Sequence, residues 1–499
     1  MSTHPDERTS SVFDTSPETV LERLAALREG DAPTHGGHVL SYVYDSGLAQ
    51  IDELAASAAR IVQPLNALDP TTFPSVAVLE GEVVGFARRA LHGGEDVVGS
   101  VTSGGTESCL LAVATARAAW RARGGTGRAR IVAPSTVHAA FHKAAHYLDL
   151  DLDLVPVDAE GRAIGLVDRL GPDVALVVVS APSYPFATLD DVETVAAAAL
   201  AAGVDVHVDA CIGGFALAFW PGEQPLWDFR VPGVTSLSAD LHKYGYAPKG
   251  VSVLLQRGRD RQRLQYFATS RWPGYPVVNA TLLGSKPAGP LAAAWAIIAA
   301  LGVPGFERLT AQTQRATAAL QSTVEHIDGL RLVGDPVGPL FAVCADEGVP
   351  AESRVDPHLW ADEVRARGFL LQLQPGLVQS DGPRLPHTTH LTITPVTEAV
   401  LSDIQAALVA AADAVRGVPA VSGADVLASV GELGAASVET GPSAESDLAA
   451  ATLTQVGLLG DAAAVPDRLA PVLALVEELP APVVERLLVE LIARVVEPR

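Results

Sequence analysis

Lysine is scarce in this 499-residue chain: it occurs only as Lys143, Lys243, Lys249 and Lys286, whereas lysine and arginine together number 35. A guanidinium keeps its charge at any ordinary pH, whereas an amine can lose its proton, attack a carbonyl and form an imine. The few lysines are therefore candidates for chemistry that arginine cannot do. Two of them lie in residues 238–250, with the sequence SADLHKYGYAPKG. A composition bias explains the scarcity equally well, so a chemical role for these lysines has to be inferred from the neighbouring motifs.

A candidate anion site lies in residues 102–108, TSGGTES, between an apolar run and a helical pattern rich in Ala and Leu. Gly104 and Gly105 let the backbone come close to an anion, and the first N–H groups of the helix can bind a phosphate. Turns of this composition more often only cap a helix. The segment also has neither the lysine of a P-loop nor the spacing of a dinucleotide fingerprint.

An aspartate and a row of histidines complete the candidates. Asp209 follows the strand predicted at 205–208, at the sheet edge where ligands bind in open α/β folds, although such an aspartate is more often a cap. His138, His142 and His146 share one helical face, and His pairs at this spacing can hold a metal. Because no further ligand is placed nearby, we favour one histidine facing a cleft, the others in solvent, and no metal.

Together these pieces predict a pyridoxal phosphate site. That cofactor needs an amine for its aldehyde, an anion site for its phosphate, and a carboxylate that keeps its pyridine nitrogen protonated. Lys243, residues 102–108 and Asp209 supply these groups, and a histidine can stack on the ring. The protonated ring stabilises a carbanion next to the imine, so we expect a bond to break at the α-carbon of an amine.

The elements that must position these residues form an α/β pattern over residues 64–255. Short apolar runs alternate with helical patterns, which predicts a mostly parallel sheet covered by helices on both faces. Strands are predicted at 130–133, 154–157, 174–179, 205–208, 233–238 and 251–255, and helices at 78–91, 107–123, 137–148 and 190–202.

The order of the patterns predicts four parts of the chain. Residues 1–63 form an N-terminal arm with helices, and 64–300 a large cofactor-binding domain that ends in a helix near 288–301. Residues 301–416 form a smaller α/β domain that begins with a helix near 304–327. Residues 417–499 form a linker at 431–444 and a helical tail with helices near 466–478 and 482–496. The tail contains no aromatic residue, His or Lys. Its composition favours an appended interface over a catalytic unit.

Composition restricts the partners. The formal charge of −23 argues against nucleic acid and anionic membranes. Three cysteines make no disulfide framework and fit a reducing cytosol. The N-terminus does not read as a signal peptide, and the apolar stretch 288–303 is short for a spanning helix. We expect a cytoplasmic protein that has no membrane span and acts on a small amine or amino acid.

The motifs also resemble a known family. The segments TSGGTES, APSTVHAAFHKAA, HVDACIGGF, FRVPGVTSLSADLHKYGYAPKG and LLGSKPAG follow one another in the order and spacing of sphingosine-1-phosphate lyases. These are fold-type-I, aminotransferase-like pyridoxal phosphate enzymes close to the amino-acid decarboxylases. The resemblance covers roughly residues 36–415. It implies the fold-type-I architecture and a homodimer with two shared sites.

The resemblance implies roles for the cofactor residues. Lys243 would form the Schiff base, Asp209 would pair with the pyridine nitrogen, and His138 would stack on the ring. The cofactor phosphate would be bound by Gly105, Thr106 and His242, together with Gly284 and Ser285, the serine reaching it from the second subunit.

The residues at the positions that contact the substrate in the family differ in part from the family pattern. Tyr44 and Lys249 match positions that contact the substrate phosphate. Residues 68–74 read LDPTTFP instead of LHPDIFP, so Asp69 replaces a phosphate-contacting His. Residues 184–187 read YPFA instead of FPHG or FPYG, which removes another polar contact. We therefore expect a substrate that is less negatively charged than a sphingoid phosphate.

The expected reaction is a retro-aldol cleavage. A base removes the proton of a β-hydroxyl, the Cα–Cβ bond breaks, and an aldehyde and an amine result. Lys243, once released, Tyr244 and Tyr246 are the candidate acid–base groups. An amino-acid decarboxylase on the same scaffold is the alternative, which a carboxylate-binding Arg would favour. A cofactor-binding or assembly protein without turnover is a further alternative.

Overall fold

The computed structural model describes residues 14–69, 71–430, 453–454 and 466–498. The helices are α1 Pro17–Leu27, α2 Ala49–Ile61, α3 Pro74–Ala90, α4 Gly105–Ala122, α5 Ala139–Leu148, α6 Val192–Ala202, α7 Gly213–Ala216, α8 Arg259–Gln265, α9 Gly289–Glu325, α10 Pro357–Ala366, α11 Leu401–Val415, α12 Gly423–Val430, α13 Ala470–Glu478 and α14 Ala481–Val495. The strands are β1 Val97–Thr102, β2 Arg130–Pro134, β3 Asp151–Val155, β4 Val174–Ser180, β5 Asp205–Asp209, β6 Ser236–Ala239, β7 Ser252–Arg257, β8 Phe267–Thr269, β9 Val277–Asn279, β10 Leu330–Leu332, β11 Leu340–Ala345, β12 Gln372–Gln374 and β13 Thr388–Thr392.

The large body is built on a seven-stranded sheet in the order β1-β7-β6-β5-β4-β2-β3. Strands β2 to β6 pair in parallel, whereas β7 runs antiparallel to both β1 and β6. Every residue of β4 and β5 is buried, as expected for central strands with both faces covered. The predicted mostly parallel sheet is confirmed.

One strand of this sheet, β1, was not among the predicted strands. Its apolar run is interrupted by Gly99 and Ser100. Gly99 packs closely on the neighbouring strand: a Cβ there would lie 2.5 Å from Leu255 Cδ2 and 2.7 Å from the Leu254 carbonyl oxygen. Gly99 interrupts the apolar pattern of β1 in the sequence, and the same glycine is required for the close pairing of β1 with β7.

Helix α9 joins two hydrophobic cores. Its first part packs Leu291 and Phe306 into the large body, and its last part packs Leu320 beside the smaller sheet. The sequence predicts two helices here, near 288–301 and 304–327, and the structure agrees, because Gly302 has non-helical backbone angles (φ 54°) and divides α9 into two helical parts at a kink. The predicted domain boundary at residue 300 lies just before this kink and stays a prediction. Among the described helices, α9 alone is long and apolar enough to cross a membrane, and it is partly buried in the protein.

The smaller sheet has the order β10-β11-β13-β12, and all its pairs are antiparallel. Helices α10 and α11 cover it around the buried side chains of Phe341 and Trp360. Two tail helices predicted at 466–478 and 482–496 correspond to α13 and α14, and α13 contacts α10 and β12. The predicted linker 431–444 lies outside the described residues.

Candidate active site

Two neighbouring cavities share the side chain of Lys243. The first, about 380 Å³, is lined by Gly104, Gly105 and Thr106 at the start of α4, and we call it the cradle cavity. The second, about 750 Å³, is lined by several aromatic rings, and we call it the aromatic cavity. Lys243 lines both, as do His138 and Tyr184.

The cradle cavity lies at the N-terminus of the 18-residue helix α4. Gly105 is required there: a Cβ would lie 2.7 Å from Asp240 Oδ2 and 2.8 Å from Cys211 Sγ. A Cβ at Gly104, whose φ is 156°, would lie 3.2 Å from His242 Cε1. The two glycines therefore leave room for a ligand group beside the first N–H groups of a long helix, where an anion is favoured.

Asp209 lines the cradle cavity at the carboxyl end of β5. Its side chain is buried, and Oδ1 accepts hydrogen bonds from the Cys211 N–H at 3.1 Å and from Ser238 Oγ at 3.4 Å. These bonds hold the carboxylate in place, while its position in the cavity wall makes it available to a ligand.

Lys243 is paired with an acid that the sequence reasoning missed. Its Nζ lies 3.0 Å from Asp240 Oδ2, and His242 Nε2 lies 3.4 Å from the same oxygen. Burial lowers the pKa of Lys243, but the charge of Asp240 outweighs it and holds that pKa above its ordinary value. Burial likewise raises the pKa of Asp240, and the charges of Lys243 and His242 hold it below its ordinary range. The signal was an acid three residues before the lysine, in the same turn.

Two buried polar atoms at the cradle cavity have no partner among the described residues. They are Asp240 Oδ1 and His242 Nδ1. A buried polar atom without a hydrogen bond costs free energy, so the site fits a polar ligand. With the helix terminus, Asp209 and an amine, these atoms match the requirements of pyridoxal phosphate.

Glu107 connects the cradle to the loop after β9. Its carboxylate accepts hydrogen bonds from the N–H of Ser103 at 2.6 Å and from the N–H of Leu282 at 2.7 Å. The predicted cofactor residues Gly284 and Ser285 follow in this loop, but they are exposed and line neither cavity of their own chain.

Lys286, at the end of the same loop, is turned into the protein. Its Nζ donates hydrogen bonds to Glu80 Oε2 at 3.0 Å and to the Val101 carbonyl oxygen at 2.9 Å. This lysine is therefore committed to an internal ion pair and does not contribute charge to either cavity.

Tyr44 and Lys249, both predicted substrate contacts, lie in the wall of the aromatic cavity. Lys249 Nζ lies 4.6 Å from the centre of the Tyr44 ring and donates to the carbonyl oxygens of Tyr42 and His242, both at 3.3 Å. Burial, followed by the charge of Lys243, lowers the pKa of Lys249. No arginine lines either cavity in the described part of the chain.

The rest of the aromatic cavity is mainly apolar. The Tyr184 ring stacks on His390, with 4.4 Å between ring centres. The other lining residues with apolar or aromatic side chains are Tyr42, Pro185, Phe186, Leu373, Pro375, Leu377, Leu385 and Pro386.

Asp69 and Tyr246 are not brought into either cavity of the chain. Asp69 is exposed and accepts hydrogen bonds from Thr71 and Thr72, which lower the pKa of its carboxyl to about 2. Tyr246 is buried, and its ring stacks on Phe306 with 6.3 Å between centres. In this chain Asp69 stabilises a turn and Tyr246 belongs to the core.

Of the remaining candidate residues, some line the cavities and others do not. Tyr244 is buried and donates its hydroxyl to the Ile393 carbonyl oxygen at 2.7 Å. His138 caps α5 and lines both cavities, whereas His142 and His146 are exposed on the same helix. Among the described residues, the group of side chains close enough to share a metal is Cys109, Asp209 and Cys211, at the cradle cavity.

Comparisons with known proteins agree with this site. The family model "Pyridoxal-dependent decarboxylase conserved domain" matches residues 66–344, and the model "Pyridoxal-dependent enzyme, C-terminal putative HTH domain" matches 424–494. Sphingosine-1-phosphate lyase of Dictyostelium discoideum is 35% identical over 66% of this chain, and the match spans 63% of that protein. The chain thus spans less than two thirds of this relative's length, and 58% of sphingosine-1-phosphate lyase 1 of Rattus norvegicus.

Solved structures extend the likeness to most of the fold. Sphingosine-1-phosphate lyase of Burkholderia pseudomallei has a TM-score of 0.73 and 30% identity, and the match covers 83% of this chain and 94% of that one. Glutamate decarboxylase of Lactobacillus brevis, at 20% identity and a TM-score of 0.70, shares the fold over 84% of this chain and 97% of its own. The predicted fold-type-I architecture is confirmed. Because a family model matches more than half of its length and the site fits the cofactor, the chain belongs to the pyridoxal-dependent decarboxylase family and uses pyridoxal 5'-phosphate.

Proposed function

We propose that this chain is a pyridoxal phosphate-dependent lyase that cleaves the Cα–Cβ bond of an amino alcohol by a retro-aldol reaction. The observation that carries the proposal is the position of Lys243. Its side chain lines both the cradle cavity, which has Asp209 in its wall, and the larger aromatic cavity. The relatives named sphingosine-1-phosphate lyases support the same reaction class.

The residues of the cradle cavity would hold the cofactor. Gly105, Thr106 and His242 surround the place for its phosphate, and Asp209 would keep a proton on its pyridine nitrogen. Bound there, pyridoxal phosphate supplies an aldehyde for the substrate amine and a ring that accepts the electron pair released at the α-carbon. The protein's own task is to hold these groups and to exclude water.

The remaining chemistry is proton transfer. In the overall reaction the β-hydroxyl loses a proton, the Cα–Cβ bond breaks, and the α-carbon gains a proton, which gives one aldehyde and one amine. Lys243 lines the aromatic cavity as well as the cradle, so its amine is our candidate for these transfers. Tyr244 and Tyr246 are not, because their buried hydroxyls lie outside both cavities.

The aromatic cavity suggests the substrate class. Its walls suit an apolar or aromatic body, and Lys249 is its one cation besides Lys243 among the described lining residues. We propose a substrate whose head group carries one negative charge or none. Asp69 lies outside the cavity of its own chain and has no part in this preference.

We also propose a cytoplasmic homodimer. Residues 266–283 next to the Gly284–Ser285 loop carry many exposed large apolar side chains, which in soluble proteins often mark an interface. They are Tyr266, Phe267, Trp272, Tyr275, Val278, Leu282 and Leu283. A second subunit covering them would bring Ser285 of the partner subunit toward a cradle cavity.

The test is product analysis with the cofactor-loaded protein. Amino alcohols with and without a phosphate group, sphingosine 1-phosphate included, would be supplied alongside aromatic amino acids, and the products identified by mass spectrometry. We expect an aldehyde and an amine in equal amounts. Release of carbon dioxide with an amine would establish the decarboxylase instead, which the absence of arginine from the described cavity walls does not favour.

A further inference from the structure

One wall of the aromatic cavity is formed by residues 374–388, which we call the wall segment. Gln374, Gly376, Leu377, Leu385 and Thr388 of this segment line the cavity. The segment lies outside the matched domain 66–344, and its other side faces the C-terminal helix α13. A residue of α13 can therefore influence the substrate cavity without touching it.

Glu477 of α13 binds the wall segment at three points. Its Oε1 accepts a hydrogen bond from the Gly376 N–H at 3.1 Å and lies 3.5 Å from His387 Nδ1. Its Oε2 accepts from Arg384 Nη2 at 3.1 Å. The side chain of Glu477 is only 14% exposed, so these contacts are largely shielded from water.

His387 extends this contact to α10. Its Nε2 lies 2.8 Å from Asp356 Oδ2, so the imidazole lies between two carboxylates. Burial lowers the pKa of His387, but Asp356 and Glu477 outweigh it and raise the pKa to about 9. The other groups that face the ring are His358, with 4.6 Å between ring centres, and Arg384, which is paired with Glu477.

Helix α13 is itself bound to helix α10, which covers the smaller sheet. The Asp362 carboxylate of α10 accepts hydrogen bonds from the Leu469 N–H at 2.8 Å and the Ala470 N–H at 3.0 Å. Ala470 and Leu475 are buried. Glu477 thus projects from an anchored helix, which gives its carboxylate a defined position.

We propose that Glu477 is a positioning residue: through Gly376, Arg384 and His387 it holds the wall segment in the shape that accepts the substrate. This gives the C-terminal segment a role in substrate selection. The proposal rests on the proposed function only in taking the aromatic cavity as the substrate site.

The contact should depend on pH in one direction. Because the folded pKa of His387 lies above the ordinary value of about 6.5, its ionic contribution is complete below that value and is lost as the pH rises through about 9. Burial raises the pKa of Glu477, but His387 outweighs it and holds the pKa below its usual value, so Glu477 stays charged throughout this range.

The experiment compares Glu477→Ala and Glu477→Gln with the control Glu478→Ala, which changes the exposed neighbour on the same helix. Amide exchange of a peptide covering residues 374–388 is followed in the cofactor-loaded protein without substrate. Losing a hydrogen bond to a charged group should speed exchange by roughly 10-fold or more in Glu477→Ala. Glu477→Gln keeps an acceptor for the Gly376 N–H, so its exchange rate should lie between those of the unaltered protein and Glu477→Ala. In the unaltered protein, exchange corrected for its intrinsic rate should rise above pH 9 but stay slower than that of Glu477→Ala, because Glu477 keeps its bonds from Gly376 and Arg384 when His387 loses its charge.

Kinetics then test the link to the substrate. Glu477→Ala should raise KM for the best amine by about fivefold with kcat nearly unchanged, because uniform binding is lost, whereas Glu478→Ala should change neither. Unchanged exchange in Glu477→Ala, or faster exchange with unchanged KM, would overturn the proposal. Failure of all amines to react would count against the proposed function alone, since the exchange arm needs no turnover.

Discussion

The cradle cavity and the aromatic cavity share a lysine but are built in different ways. The cradle is built mainly from three compact motifs, 102–108, 207–211 and 238–243, which lie at the carboxyl ends of β1, β5 and β6 in one sheet. The aromatic cavity combines distant pieces: residues 42–44, 184–186, 249 and the wall segment 374–388. A site made of local motifs can stay constant while a site made of distant loops changes. If the proposed function holds, mutations should therefore separate catalysis from substrate choice.

Replacing Lys243 should have the largest effect. We expect Lys243→Ala to lose at least about 10³-fold in turnover with every substrate, because a covalent group and its proton-transfer role are removed together. Its fold should persist, since the side chain acts in the cavity wall rather than the core. Steady-state rates and circular dichroism check this, with the exposed Lys143→Ala as the control. Equal loss in Lys143→Ala would contradict the assignment.

Asp209→Asn should come next, again for all substrates. An amide cannot hold the proton on a pyridine nitrogen, so the ring accepts electrons less well, and we expect a loss of roughly 10²–10⁴-fold in kcat. The cofactor should still bind, which its absorbance after gel filtration would report. Near-normal kcat would mean that Asp209 only caps the end of β5.

Lys249→Met should affect one class of substrate only. Removing a cation that contacts an anionic head group should lower kcat/KM for a phosphorylated amino alcohol by about 10- to 100-fold. The unphosphorylated analogue should change little. Equal losses for both analogues would show that Lys249 supports the fold of the cavity through Tyr44 rather than binding charge.

Asp69→His should have the smallest effect on selectivity. The carboxylate is fully engaged with Thr71 and Thr72 on the surface, so we expect the ratio of kcat/KM for phosphorylated and unphosphorylated substrates to stay within about twofold. Thermal unfolding of the variant measures the cost to the turn. A large selective gain for phosphorylated substrates would restore the role first inferred from the sequence.

The sequence predicted the parts of the site that are close together in the chain. Lys243, Asp209 and Gly105 follow from motifs in which residue type and local element already imply the chemistry. Asp240 was missed although it lies in the same motif, because its pairing with Lys243 depends on how one turn folds. The wall segment and Glu477 could not be found, since their proximity arises from tertiary packing between distant elements.

In the large sheet, β1 was missed because Gly99 and Ser100 interrupt its apolar pattern, and the central strand β4 was found because all its residues except Ser180 are apolar. The hydrogen bonds from Thr71 to Asp69 were not foreseen, because only the place of Asp69 in a family motif was considered. Its role toward the substrate stays a prediction.

The central claim is that Lys243 is the lysine that binds the cofactor, and borohydride reduction tests it most directly. The cofactor-loaded protein is reduced, digested and mapped by mass spectrometry, so that the lysine carrying the reduced pyridoxyl group is identified. We predict the group on the peptide that contains Lys243, and none in Lys243→Ala. Labelling of Lys249, Lys143 or Lys286 in its place would contradict the account.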